Sequence, residues 1–287
     1  MQVSVIIPTM KGREAMLEKL LSTIPNKYEK IVVGDEDLLL AAKRNKGAKK
    51  AKGEYLFFVD DDNYLEPGAI EAAVSLCEHA EVGIVGFTAC YDDKKGIVAD
   101  GGSLRNMLTG FTTGIRTNER ICDEHWLPTH RGRWGVERCS ADEPYEVDEV
   151  ANAFMIHAED FFMLYGFDEK NFPIDLDEAD LCKRIKDLGM KVMMCPKARC
   201  YHKSQTYSHI PDFRRPMNAY FMGRNRTIYQ RKFNNPLRYG VYLVFFMPVF
   251  IGFYTLSLIG RKKPLMVLPF LKGVFDGLLG RRKNRYQ

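Results

Sequence analysis

Over the first ninety positions, short solid runs of apolar residues alternate with runs spaced like one face of a helix. Residues 3–8 are almost continuously apolar, as in a strand buried on both faces. Residues 14–24 place Leu17, Leu20, Leu21 and Ile24 on one helical face, and residues 30–33 turn apolar again. The alternation then repeats: helix over 38–51, strand over 55–59, helix over 67–79 opened by Pro67, strand over 82–87. Successive βαβ units of this length predict a parallel, doubly wound α/β sheet.

From 88 to about 149 the pattern lapses into polar sequence rich in Gly, Arg, Asp and His, carrying both tryptophans, Trp126 and Trp134. Long irregular stretches in compact domains tend to be functional. Here the run around His130, Arg131 and Arg133 suits an anionic acceptor, or is a solvated loop pinned by its tryptophans. Order returns with a strand over 154–156, a helix over 177–188 stopped by Gly189, and a strand over 191–195 that leads to Tyr201 and His202.

The end of the chain changes character. Residues 239–260 carry no charge and lie between Arg238 and Arg261-Lys262-Lys263, a run as long as the ~20 residues a bilayer core requires. Pro248 interrupts it, and basic flanks at both ends leave orientation undecided. Residues 264–280, apolar but carrying Lys272 and Asp276 before Arg281, Arg282, Lys283 and Arg285, suit an interfacial position. The expectation is a catalytic domain over 1–235, with a nucleotide-binding half to about 90 and an acceptor half from 91. A hairpin-like membrane anchor over 236–287 would leave the domain on the cytoplasmic side. A buried core helix is the alternative for 239–260.

A chain of 287 residues with 46% hydrophobic residues has enough apolar sequence for a sizeable core. Its net charge of +5 gathers late, which argues against nucleic acid as a partner. Seven scattered cysteines indicate reduced thiols rather than a secreted disulfide framework, and the amino terminus enters a strand without a signal peptide.

Candidate chemistry begins at Asp60, Asp61 and Asp62, which follow the strand over 55–59. The carboxyl ends of parallel strands are where open α/β sheets bind ligands. A carboxylate cluster there suits Mg²⁺ or Mn²⁺ shared with substrate phosphates, although acidic residues also follow strands as ordinary loops. Asp177, Glu178 and Asp180 crowd the first turn of the later helix, a placement worth up to about 1 kcal/mol by itself. Cys195, Cys200 and His202 suggest zinc, but a fourth ligand is not evident.

In order, the blocks VSVIIPTMKGREAMLEKLLSTI, IVVGDED, AAKRNKGAKKAKGEYLFFVDDDNYLEPGAI, YGFDEKNFPIDLDEADLCKRIKDLGMKVMMCPKARCYH and MGRNRTIYQRK resemble glycosyltransferase family 2 over about 1–90 and 150–235. Those are inverting, sugar-nucleotide-dependent transferases of the GT-A fold. The resemblance implies that Pro8 and Thr9 contact the nucleotide, Asp35 holds the uracil or ribose, and Arg44 and Asn45 line the nucleotide pocket. Asp60 and Asp62 match the DxD positions, Asp62 for the metal and Asp60 for ribose or metal, with Asp61 able to share either duty. His202 stands where the family places a histidine that completes the metal or diphosphate shell. Asp177 and Glu178 match the xED position in swapped order, with Glu178 taken as the general base and Asp177 as the alternative. Asn152 occupies a place where relatives often carry glycine near the acceptor. Asn152, Trp134 and Asp180 are the candidate acceptor contacts.

The chemistry agrees with the residue types. Displacing a nucleoside diphosphate from an anomeric carbon requires a cation on the leaving group and a base on the opposite face. The expected activity is metal-dependent, inverting sugar transfer to an acceptor hydroxyl, with a membrane tail that suggests a lipid-linked glycan or polyprenyl phosphate. A nucleotidyltransferase and an inactive nucleotide-binding scaffold are the alternatives.

Overall fold

The computed structural model describes residues 2–93, 97–117, 119, 143–202 and 216–281. Strands β1 (Val3–Pro8), β2 (Glu29–Val33) and β3 (Tyr55–Val59) alternate with helices α1 (Glu14–Thr23) and α2 (Leu40–Ala48). β4 (Asn63–Leu65), α3 (Ala69–Cys77), β5 (Val82–Tyr91) and β6 (Val98–Asp100) follow, then a hairpin of β7 (Ser103–Arg105) and β8 (Thr112–Gly114). β9 (Tyr145–Glu146), β10 (Ala153–His157), α4 (Ala158–Met163), α5 (Asp177–Asp187) and β11 (Lys191–His202) complete the sheet region.

The main sheet runs β2-β1-β3-β10-β5-β11-β4. Its two faces are separate cores, as period-two alternation demands. Val5, Ile7, Phe57 and Val59 meet Leu20, Ile24, Ile70 and Ala73 on one side. Ile6, Leu56 and Phe58 meet Ala41, Ala48, Phe161, Leu181 and Ile185 on the other. The expected α/β architecture, doubly wound and mostly parallel, is present.

The sheet departs from the sequence reading in one way that matters. The strands of the first ninety residues are not contiguous, because β10 inserts between β3 and β5 and runs antiparallel to both. β11 also continues past Cys195 through a bulge to His202, where it pairs with the short β4 so that His202 lies opposite Asn63. That pairing delivers the histidine to the aspartate triplet. Helix ends differ more simply: Leu39 is extended before α2, and left-handed Gly68 (φ 83°) rather than Pro67 precedes α3.

The last four helices are α6 (Pro216–Phe233), α7 (Pro236–Val241), α8 (Met247–Gly260) and α9 (Val267–Leu278). α6 and α9 touch backbone to backbone. A Cβ on Gly273 would fall 1.9 Å from the Tyr220 carbonyl oxygen, and one on Gly223 2.5 Å from that of Phe270. A π-helical turn over Tyr242–Phe246 joins α7 to α8 just ahead of Pro248, whose missing N–H such a turn accommodates. Pro236–Gly260 is thus one helix long and apolar enough to cross a membrane, with 22% of its most apolar window buried. Met247, Phe250, Tyr254 and Leu258 face the protein, while Val249, Phe253, Leu256 and Ile259 are exposed. So little burial rejects the core-helix alternative.

Candidate functional site

At the carboxyl end of β3 the three aspartates point into different environments. Asp61 is buried and accepts from the Thr9 hydroxyl at 2.6 Å and from the guanidinium of Arg13. Arg13 also reaches Asp62 at 3.1 Å, and His202 Nε2 lies 3.4 Å from the other oxygen of Asp62. Burial works against the charge on Asp62, but His202 and Arg13 hold its carboxyl below the usual range. The imidazole is raised in return, the Asp62 carboxylate outweighing its own burial. Asp60 accepts from Arg44 Nη2 at 2.8 Å and is raised, first by burial.

Arg44 forms the hub beneath. Its side chain is wholly buried, and it pairs with Asp60, with Asp177 at 2.7 Å and with Glu178 at 2.7 Å. One guanidinium thereby ties the triplet on β3 to the start of α5. Three carboxylates share one positive charge, so each is pushed toward its neutral form. Burial, aided by Asp177 and Asp60 and opposed by Arg44, lifts Glu178 to about 8. Asp177 is raised, first by burial; it has no exposed side-chain surface, whereas Glu178 keeps 16%.

The residues matched to the nucleotide pocket divide. Pro8 and Thr9 close β1 beside Val33, Thr9 reaches Asp61, and Asp35 follows β2 in a pair with Lys46 at 2.6 Å. Arg44 lies under the cleft rather than in its wall. Asn45 bonds both backbone groups of Phe167 at 2.9 Å, so its amide is occupied in fixing that loop, and it borders a different cavity. Arg44 and Asn45, expected to line the nucleotide pocket, thus turn Nη1 and Nη2 to carboxylates and the side-chain amide to the Phe167 backbone.

Asp60 and Asp62, with His202 above them, are a hard oxygen and nitrogen donor set. Among the described residues no three His, Cys, Asp or Glu side chains form a self-sufficient metal cage. Asp60 and Asp62 could hold Mg²⁺ or Mn²⁺ together with substrate oxygens, since such ions use one or two carboxylates. The zinc reading fails on the same observation, and Cys200 is buried in the sheet.

Beyond Glu178 opens a cavity of about 900 Å³, lined by β6–β8, residues 149–152, Asp175, Leu176, Glu178 and Ala179, His202, Arg226 of α6, and Phe253 and Tyr254 of α8. Asn152 lies on its wall at φ 64°. That left-handed backbone explains why a glycine or asparagine is needed there. Asn152 also links the two carboxylate groups, its carbonyl accepting from Asp60 N at 3.0 Å and its N–H donating to Glu178 at 3.3 Å. Asp175 and Leu176 are both left-handed, at φ 66° and 61°. Strain of this kind, of order 1–3 kcal/mol per residue, persists only where surroundings enforce it. Asn225 does so by donating to the Ile174 and Asp175 carbonyls at 2.7 and 2.9 Å, and Arg224 grips Asn171 O at 2.7 Å. Asp180, expected at the acceptor, is wholly buried between Arg184 at 2.8 Å and Lys232 at 2.6 Å and lies outside the lining of this cavity. It stands two positions after Glu178, roughly 200° around α5 from that residue. Trp134 lies outside the described residues.

Sequence reasoning passed over Arg13, Asp175 and Arg226. Arg13 carries a signal, since it follows the first strand within reach of any carboxylate after a neighbouring strand. Asp175 and Arg226 carry none, because only the packing of α6 brings them together.

Residues 30–125 match the family described as glycosyl transferase family 2. No curated protein sequence matches the chain. Among solved structures, TarS 1–349 of S. aureus in complex with UDP-GlcNAc is 13% identical, covers all of this chain and 83% of its own, and superimposes with a TM-score of 0.55. The mannosyltransferase PcManGT of Pyrobaculum calidifontis, in complex with GDP-Man and Mn²⁺, is 10% identical over 98% of this chain and 88% of its own, with a TM-score of 0.52. GalNAc-T7, with UDP, GalNAc and Mn²⁺, is 15% identical over 71% of this chain, with a TM-score of 0.51. The chain spans 44% of the length of GalNAc-T7. At such identities the likeness is one of fold.

Proposed function

The chain carries a glycosyltransferase family 2 domain on a GT-A fold, and from that premise we propose that it transfers a sugar from a nucleoside-diphosphate sugar to an acceptor hydroxyl with inversion. The observation that carries this reading is the buried Arg44, whose Nη2 holds Asp60 at 2.8 Å and Glu178 at 2.7 Å beside one cleft. In this reading Thr9, Asp35, Asp60 and Asp62 serve the donor, and Glu178 and Asn152, which line the large cavity, serve the acceptor. In the reaction the bond from the anomeric carbon to the diphosphate oxygen breaks while a bond to the acceptor oxygen forms. The acceptor proton passes to Glu178, and the nucleoside diphosphate departs with the electron pair. Asp62, with Asp60 and His202, would hold a divalent cation, and the chemistry such an ion would supply is charge for the leaving diphosphate.

The acceptor is proposed to be lipid-linked and the enzyme to sit on a membrane. The exposed apolar face of α8, together with Leu265, Leu268 and Phe275 of the following segment, is unlike the surface of a soluble domain. α8 lies along the acceptor cavity and lends it Phe253 and Tyr254, which favours a helix lying in the interface over one that crosses the bilayer.

The test is binding of UDP, GDP and their sugars to the detergent-solubilised protein, with and without Mn²⁺. One nucleotide should bind in a metal-dependent way, and Asp62→Ala should lose that binding. Binding of none by the folded protein would overturn the transferase reading.

A further inference from the structure

The acceptor cavity is lined by two arginines in different states. Arg105 is neutralised, its Nε and Nη2 both on Glu149. Arg226 is not. Its guanidinium meets one hydrogen-bond acceptor among the described residues, the Gly110 carbonyl at 3.1 Å. It stacks over the rings of Phe250 at 5.0 Å and Tyr254 at 5.8 Å on the apolar helix. Such stacking fixes the fork while leaving further N–H donors available. A guanidinium held in that manner is suited to phosphate, which it meets with paired hydrogen bonds.

The order of groups along the cavity is informative. Asn152, Asp175 and Glu178 line both this cavity and a smaller recess shared with Asp60, to which Arg226 does not contribute. Asp175 makes no ion pair or side-chain hydrogen bond among the described residues, and Arg226 is the foremost charge acting on it. Then come Arg226 and the aromatic wall of α8, whose outer face is exposed. Carboxylates, a guanidinium and an apolar face follow one another, as hydroxyls, an anionic linkage and a hydrocarbon would in a ligand.

We infer that Arg226 binds the phosphate or diphosphate linking the acceptor sugar to an isoprenoid-type lipid, with the sugar between Asp175 and Glu178 and the lipid running out along α8. This rests on the transferase reading for the sugar but not for the lipid phosphate. It also selects the nucleophile. A bare lipid phosphate attacking directly would bring its own negative charge against Asp60, Asp175 and Glu178, whereas a neutral hydroxyl needs the base that Glu178 provides.

The experiment measures binding of farnesyl diphosphate, farnesol and inorganic pyrophosphate to the detergent-solubilised full chain, beside UDP and GDP with Mn²⁺. Farnesyl diphosphate should bind more tightly than the other two. Arg226→Gln, which keeps the stem over Phe250, should weaken it about 10- to 100-fold, as loss of a charged hydrogen-bonding partner does. Thr112→Glu, an exposed cavity position, should weaken it in the same direction without touching the packing of α6. Asp62→Ala should leave it unchanged. Equal binding by Arg226→Gln, equal affinity for farnesol or pyrophosphate, or loss in Asp62→Ala would each overturn the assignment. Absence of nucleotide binding in the same samples would instead sink the transferase reading and leave the Arg226 result standing.

Discussion

The proposed donor end and the proposed acceptor end of the cleft handle charge in opposite ways. At the donor end every carboxylate is already answered: Asp61 and Asp62 by Arg13, Asp62 again by His202, and Asp60 by Arg44. At the acceptor end Arg105 and Glu149 cancel, and Arg226 and Asp175 remain without direct ion pairs among the described residues. A buried charge without a partner costs several kcal/mol, so the donor carboxylates can persist without ligand only because internal cations stand in. Asp175 and Arg226 are only partly buried. The difference teaches that donor binding exchanges one set of charge contacts for another, while acceptor binding adds contacts that did not exist.

The hub is where that comparison breaks most readily. Arg44→Met should leave Asp60, Asp177 and Glu178 without their shared cation and destabilise the fold by about 3–5 kcal/mol, read by urea unfolding. A loss below about 1 kcal/mol would mean that the carboxylates simply take up protons. Glu178→Gln comes next. It should lower kcat at least about 100-fold while donor binding persists, and Asp177→Asn should lower it less, because Asp177 has no exposed surface to offer an acceptor. A greater loss in Asp177→Asn would reverse the assignment of the base. The base must be ionised to act, and its carboxyl sits near 8, so kcat/KM should rise with pH up to that region rather than level off near 5. A profile already flat from pH 6 upward would show that Glu178 is not the titrating group. The smallest effect concerns the seat of the acceptor end. Gly273→Ala should push α9 off α6 and cost about 1–3 kcal/mol, seen as a lowered Tm, with the nucleotide affinity of the folded protein unchanged. Reduced nucleotide affinity would mean that the two ends are not mechanically separate.

The donor end was legible because its chemistry is local. Asp60, Asp61 and Asp62 lie next to the strand that aims them, and a buried run followed by carboxylates can be read without knowing the neighbours. Asp177 and Glu178 were visible as a cluster, but a helix amino terminus gives the same signal. Only their contact with Arg44 distinguishes the two meanings. Asn45 and Asp180 illustrate the opposite failure. Both stand in blocks whose neighbours reach the cleft, yet Asn45 turns to the Phe167 backbone and Asp180 to Arg184 and Lys232. A shift of one or two positions along a helix changes the face, and a linear motif does not say which face looks inward.

By itself the sequence determined the βαβ alternation, the carboxylate triplet at a strand end, the chain's likeness to a nucleotide-sugar transferase and the apolar end. All of these are set by periodicity and near neighbours. Tertiary structure alone decided that β10 enters the sheet antiparallel, that Arg44 reaches Asp177, 133 positions further along the chain, and that α6 carries Arg226 to the side of α8. Those contacts join residues far apart in the chain. They arise from burying two faces of one sheet at once, a condition that no local stretch of sequence contains.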